Sequence, residues 1–100
     1  MDQTIFYSSI ALILLLLLVD YRQTLDIKNH SSMYEINPIL GKHPSDLKIT
    51  IYFIICSILF TAVSLYAYPV YDTALIIWLG IWSAMEVWAV QNNIRVGLKV

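Results

Sequence analysis

The residues of this chain best suited to chemistry are polar ones that lie at the ends of its apolar segments or within them. They are Asp20, Thr24, His30, Glu35, Asn37 and Glu86. Carboxylates and imidazole rings are ordinary ligands of zinc and iron, so Asp20, His30 and Glu35 are candidates for a metal site. Their spacings of ten and five residues match no compact motif such as His-Glu-x-x-His. A capping or solvated role for each is the alternative, and we expect no other cofactor.

Glu86 is the only charged residue between positions 73 and 90. A charge at the centre of a membrane-spanning helix costs about 2.5–3.5 kcal/mol on insertion scales. If this segment crosses a membrane, Glu86 faces the bundle interior, is protonated or has a partner, for which Lys48, His30 and the backbone of the loop are candidates. Three interpretations stay open: a hydrogen bond between helices, a proton or ligand site at Glu86, and a contact with a partner subunit.

Residue patterns typical of enzymes are missing. The chain has no Gly-x-Ser-x-Gly and only three glycines, so it has neither a nucleophile elbow nor a glycine-rich phosphate loop. Cys56 is the single cysteine and lies in an apolar run without an acid or base beside it. We therefore expect a protein without enzymatic activity.

The elements that must position these residues are apolar blocks. Hydrophobic residues make up 59% of the 100 residues and charged residues 13%, whereas soluble chains average about 25% charged residues. A helix of about 20 residues crosses the hydrocarbon core of a bilayer. The pattern predicts an all-α membrane protein, one domain over 1–100, with spans at about 4–22, 48–67 and 73–92. The formal net charge of −1 excludes the basic surface that nucleic acid requires.

The basic residues predict the orientation of these spans. All six lie between spans one and two or after span three: Arg22, Lys28, Lys42, Lys48, Arg95 and Lys99. By the positive-inside rule, both regions are cytoplasmic and the N-terminus is outside. The first apolar block lacks basic residues before it and small residues after it, so we expect a retained span rather than a cleaved signal peptide.

The loop at about 23–47 carries turn and cap signals, so we predict a structured cytoplasmic segment. Ser31-Ser32 is expected to end the first helix or start a turn. Asn37-Pro38 is typical of a helix start, and Gly41 is expected to end that helix after about one turn. His43-Pro44-Ser45-Asp46 predicts a second start, with Pro44 in the first turn.

Small residues predict where helices approach each other closely. Gly80 and Ala84 have a small-xxx-small spacing on span three, and Ser57 and Thr61 repeat it on span two. These faces pack either inside the chain or against another subunit, because three helices are too few to bury every face. The expected partners are the lipid bilayer and either a homo-oligomer or a larger membrane complex.

The run from Asp20 to Thr24, followed by Glu35-Ile-Asn37-Pro38, resembles a family of small bacterial and prophage-borne three-span membrane proteins. The resemblance covers roughly residues 10–60. It implies a place in the bacterial inner membrane, and that Asp20, Thr24, Glu35, Asn37 and Pro38 together form a site or a structural knot.

Three functions remain as hypotheses. The first is an accessory subunit or partner-binding module in a membrane complex or homo-oligomer. The second is a holin-like protein that forms lesions in the membrane, since the length, the number of spans and their orientation are similar to those of three-span phage holins. The long capped loop and the mildly basic tail are unlike theirs. The third is an intramembrane polar site for a metal ion or a proton.

Overall fold

The computed structural model describes residues 1–30, 33, 35 and 37–100. All regular secondary structure among these residues is helical. It consists of α1 (Gln3–Asp26), a short 3₁₀ helix (Ile27–Asn29), α2 (Asp46–Ala67) and α3 (Asp72–Arg95). The predicted helix end at Ser31-Ser32 lies outside the described residues.

The three long helices are apolar and long enough to cross a membrane. They contain 24, 22 and 24 residues, and about 20 suffice for the hydrocarbon core of a bilayer. In the most apolar stretch of each, only 22% of the residues are buried inside the bundle. Most apolar side chains therefore point outward, which is unfavourable in water and matched by lipid. The structure is compatible with a small integral membrane protein.

The starts of α1 and α2 have side-chain caps that satisfy otherwise unpaired backbone N–H groups. The Asp2 side chain accepts a hydrogen bond from the Ile5 amide at 3.1 Å, and the hydroxyl of Ser45 accepts one from the Lys48 amide at 3.2 Å. Because Ser45 is the N-cap of α2, Pro44 precedes the cap. The prediction that Pro44 belongs to the first turn was wrong.

A glycine ends α3. Gly97 has φ of +111°, and its N–H donates to the carbonyl of Ile94, while the N–H of Leu98 donates to that of Asn93. These two bonds form a Schellman motif, in which glycine takes the left-handed conformation without a steric penalty. The chain turns back, so that Leu98 is only 3% exposed.

α1 is the central helix of the bundle and packs against both others, whereas α2 and α3 contact each other least. Its buried residues recur every three or four positions, as a helix face requires: Phe6, Ile10, Ile13 and Leu17. α1 and α3 run parallel, since Met1 pairs with Asp72 near their first turns and Gln23 bonds Asn93 near their last.

Aromatic rings close the end of the bundle at the α2–α3 turn. The rings of Phe6 and Tyr68 stack with centroids 4.2 Å apart, and those of Tyr66 and Tyr71 lie 6.0 Å apart. The helices are therefore held together at this end. The opposite end of α2 and α3 is left free to separate around other side chains.

One buried polar contact joins α2 to α3 near this end. The indole Nε1 of Trp78 donates to Oγ of Ser64 at 3.0 Å, and Ser64 is fully buried. In turn, its hydroxyl donates to the Phe60 carbonyl at 2.6 Å.

We expect Ser64→Ala to destabilise the bundle by about 1 kcal/mol, because it leaves the indole N–H of Trp78 without its acceptor in an apolar interior. Unfolding in mixed micelles measures the change, and a double-mutant cycle with Trp78→Phe isolates the bond. Ser57→Ala, the same change at a half-buried position of α2, is the control. Equal effects of the two serine changes would contradict a specific contribution from this bond.

Candidate functional site: a polar cavity between the helices

A cavity of about 680 Å³ lies between all three helices and the connection that precedes α2. Five of the six polar residues selected from the sequence line it: Asp20, Thr24, Glu35, Asn37 and Glu86. Its apolar walls include Leu17, Phe53 and Trp82. Its volume is within the range of about 300–1,000 Å³ typical of small-molecule sites.

The parallel packing of α1 and α3 explains why the two acids of the helices meet. Asp20 lies near the end of α1 and Glu86 in the second half of α3, so both are toward the same end of the bundle. Glu86 is on the buried face of α3, in sequence with Leu79 and Val90, and these spacings of seven and four residues keep one helix face. The sequence alone predicted that both acids lie at a similar depth in the membrane, but it did not show that they are neighbours.

The carboxyl groups of Asp20 and Glu86 are neighbours in this cavity. Among the described residues, no lysine, arginine or histidine forms an ion pair with either group. The partners expected for Glu86, Lys48 and His30, were therefore wrong.

Asn93 and Thr24 both donate hydrogen bonds to Asp20. The Asn93 amide nitrogen donates to Oδ1 of Asp20 at 3.3 Å and to Oε1 of Gln23 at 3.0 Å. The hydroxyl of Thr24 donates to the backbone carbonyl of Asp20 at 2.7 Å and lies 3.4 Å from its Oδ1. These donors fix the orientation of the Asp20 side chain.

Two buried polar atoms have no hydrogen-bond partner among the described residues. They are Oε1 of Glu86 and Nε2 of Gln23, whose residues are 7% and 1% exposed. Leaving such an atom unpaired costs about 1–3 kcal/mol. Glu86 lines the cavity, and Oε1 is its unsatisfied acceptor.

Asn37 attaches the connection to α2. Its side-chain nitrogen donates to the Tyr52 hydroxyl at 2.7 Å, and its backbone N–H donates to Oε1 of Glu35 at 3.0 Å. Oδ1 of Asn37 accepts from the Ile39 amide at 3.0 Å, and the turn ends at Gly41 with φ of +83°. These bonds hold Glu35 and Asn37 over the cavity.

His30 is the sequence candidate that does not line the cavity. Its Nε2 lies 3.1 Å from Oδ2 of Asp26, and its side chain is 37% exposed. Within the described ranges, no group of three or more histidine, cysteine, aspartate or glutamate residues is arranged to hold a metal ion.

Sequence reasoning missed Tyr52, Cys56 and Asn93, which also line the cavity. A signal for each was present. Tyr52 and Cys56 are four residues apart and so share a face of α2, while Asn93 is two helical turns beyond Glu86. All three residues become evident only when the polar residues of an apolar helix are compared by helix face and not one at a time.

The small residues on α3 do not pack inside the chain. Gly80 and Ala84 are exposed, and a Cβ atom added to Gly80 would meet nothing within 4 Å. Ser57 and Thr61 on α2 are half-buried, and Ser57 lines a second cavity of about 470 Å³ between α1 and α2.

Comparison with protein-family models, with curated proteins and with solved structures gives no match to this chain.

Proposed function

We propose that this chain is a three-span protein of the bacterial inner membrane that acts by binding and not by catalysis. The N-terminus lies outside, and the C-terminus and the 23–47 connection lie in the cytoplasm. All six basic residues support this orientation, because they occur between positions 22 and 48 or after residue 94. The parallel course of α1 and α3 places both regions on one side.

The binding site of this proposal is the polar cavity, and the observation that carries it is Oε1 of Glu86. This oxygen is buried, has no partner among the described residues and belongs to a residue that lines the cavity. An ionisable group inside a membrane span is expensive and typically marks a functional site. A bound molecule that donates to Glu86 would offset this cost.

Catalysis is not favoured by the groups around the cavity. The sole cysteine, Cys56, lines it beside Tyr52, and neither histidine does. An activated nucleophile needs a base within hydrogen-bond reach that is itself oriented by a third group. Binding requires only the shape, the apolar walls and the few convergent polar groups that are present.

Mass spectrometry of the gently solubilised protein tests the proposal. We expect a small molecule to co-purify with the wild-type protein and to be lost from Glu86→Gln, which keeps the size of the side chain but removes its charge. Asp46→Asn is the matched control: its carboxylate pairs with Lys28 at 2.6 Å on the exposed surface, and it should retain the adduct. A wild-type protein that carries no small molecule would refute the proposal.

A second role, as a partner-binding module, is favoured by the exposed face of Gly80 and Ala84. The open space at Gly80 would let the backbone of another membrane helix approach closely, as small-xxx-small faces do. Both residues are exposed, and Ala84 also lines the cavity, so an accessory subunit or a second copy bound at this face would adjoin the ligand.

We expect Gly80→Leu to weaken self-association by about tenfold or more, since its side chain would hold the partner helix away. Ala74→Leu, an exposed position on another side of α3, is the control and should leave association unchanged. Measurement of particle mass in micelles across a range of detergent concentrations gives the affinity. A wild-type protein that is strictly monomeric and has no co-purifying protein would rule out this role.

A further inference from the structure

The cavity has carboxyl groups on two sides and no basic side chain among the described residues that line it. Asp20 comes from α1 and Glu86 from α3, and Glu35 approaches from the connection. A site lined by acidic side chains and by no basic one favours a positively charged ligand and repels an anion.

The walls of the cavity are largely apolar and aromatic. Tyr52 and Phe53 contribute rings from α2, and Trp82 and Trp88 contribute indoles from α3. Aromatic faces attract cations through their quadrupoles, and tryptophan does so most strongly. A bare metal ion would gain little from such walls and would find no group of three ligand residues in the described part of the chain.

The unpartnered oxygen of Glu86 is evidence independent of this charge distribution. Glu86 is 7% exposed, so more than nine-tenths of the residue is buried, yet its Oε1 has no donor among the described residues. The other groups around the pair, Asn93 and Thr24, direct their hydrogen bonds to Asp20. The acceptor that remains for a ligand is therefore on Glu86.

We propose that the ligand is an organic cation with an apolar body, such as an amphipathic amine or a quaternary ammonium or phosphonium compound. Its charged group contacts Asp20 and Glu86, and its body lies along Trp82 and Trp88. The inference rests on the proposed binding function and specifies the chemical class that the cavity accepts.

Protection of the Cys56 thiol from chemical modification by a bound ligand tests this inference. Cys56 is the sole cysteine, lines the cavity and is half-buried. The rate at which N-ethylmaleimide modifies it is followed by mass spectrometry, in the presence of tetraphenylphosphonium or of tetraphenylborate. These two ions have the same shape and opposite charge. We expect the phosphonium ion to slow modification and the borate ion to leave the rate unchanged.

Variants then locate the charge that recognises the cation. Glu86→Gln should bind tetraphenylphosphonium at least about tenfold more weakly, because the buried charge facing the cation is removed. Asp20→Asn should also weaken binding and serves if Glu86→Gln fails to fold. Asp46→Asn, whose side chain is on the surface, should bind like the wild-type protein.

Each result decides between the proposals. Equal protection by both ions, no protection by the phosphonium ion, or unchanged affinity in both cavity variants would overturn the cation proposal. The binding function would still stand if the wild-type protein co-purifies with a small molecule that Glu86→Gln loses. Absence of that molecule would overturn the binding function as well.

Discussion

The arrangement of this bundle depends on one constraint: a carboxyl group on a membrane-spanning helix cannot face lipid at low cost. Glu86 interrupts the apolar run of α3, so its position determines which side of α3 turns toward α1. The buried side of α3 carries Leu75, Leu79 and Val90 beside Glu86. Asp20 lies beside Glu86 from α1, and neither acid forms an ion pair with a basic side chain of the described residues.

The cavity follows from how the other elements surround this pair. Aromatic packing and the Ser64–Trp78 bond hold α2 and α3 together near their turn. Toward the other end, Tyr52, Trp88 and the two acids line the cavity, and Asn37 fixes the connection there. One end of the molecule is thereby closed and packed, while the other holds polar groups around an open volume.

Much of the architecture was predictable from the sequence. The helix count, their approximate extents and the convergence of Asp20, Thr24 and Glu86 near one level follow from apolar length and helix rise. The proximity of Asp20 to Glu86 did not follow, because an acid that must turn away from lipid does not show which of the other two helices it meets. The packed structure supplies that partner and also brings in Asn93. Orientation in the membrane stays a prediction from charge.

The most direct test of the account is whether positions 20 and 86 face each other in the membrane. In a Cys56→Ala background, cysteines introduced by Asp20→Cys and Glu86→Cys should be joined by a short bifunctional thiol reagent. Asp20→Cys with Val87→Cys is the control, because Val87 is 41% exposed and one position farther along the helix. The account predicts efficient cross-linking of 20 with 86 and little of 20 with 87. Equal yields, or preference for 87, would contradict it.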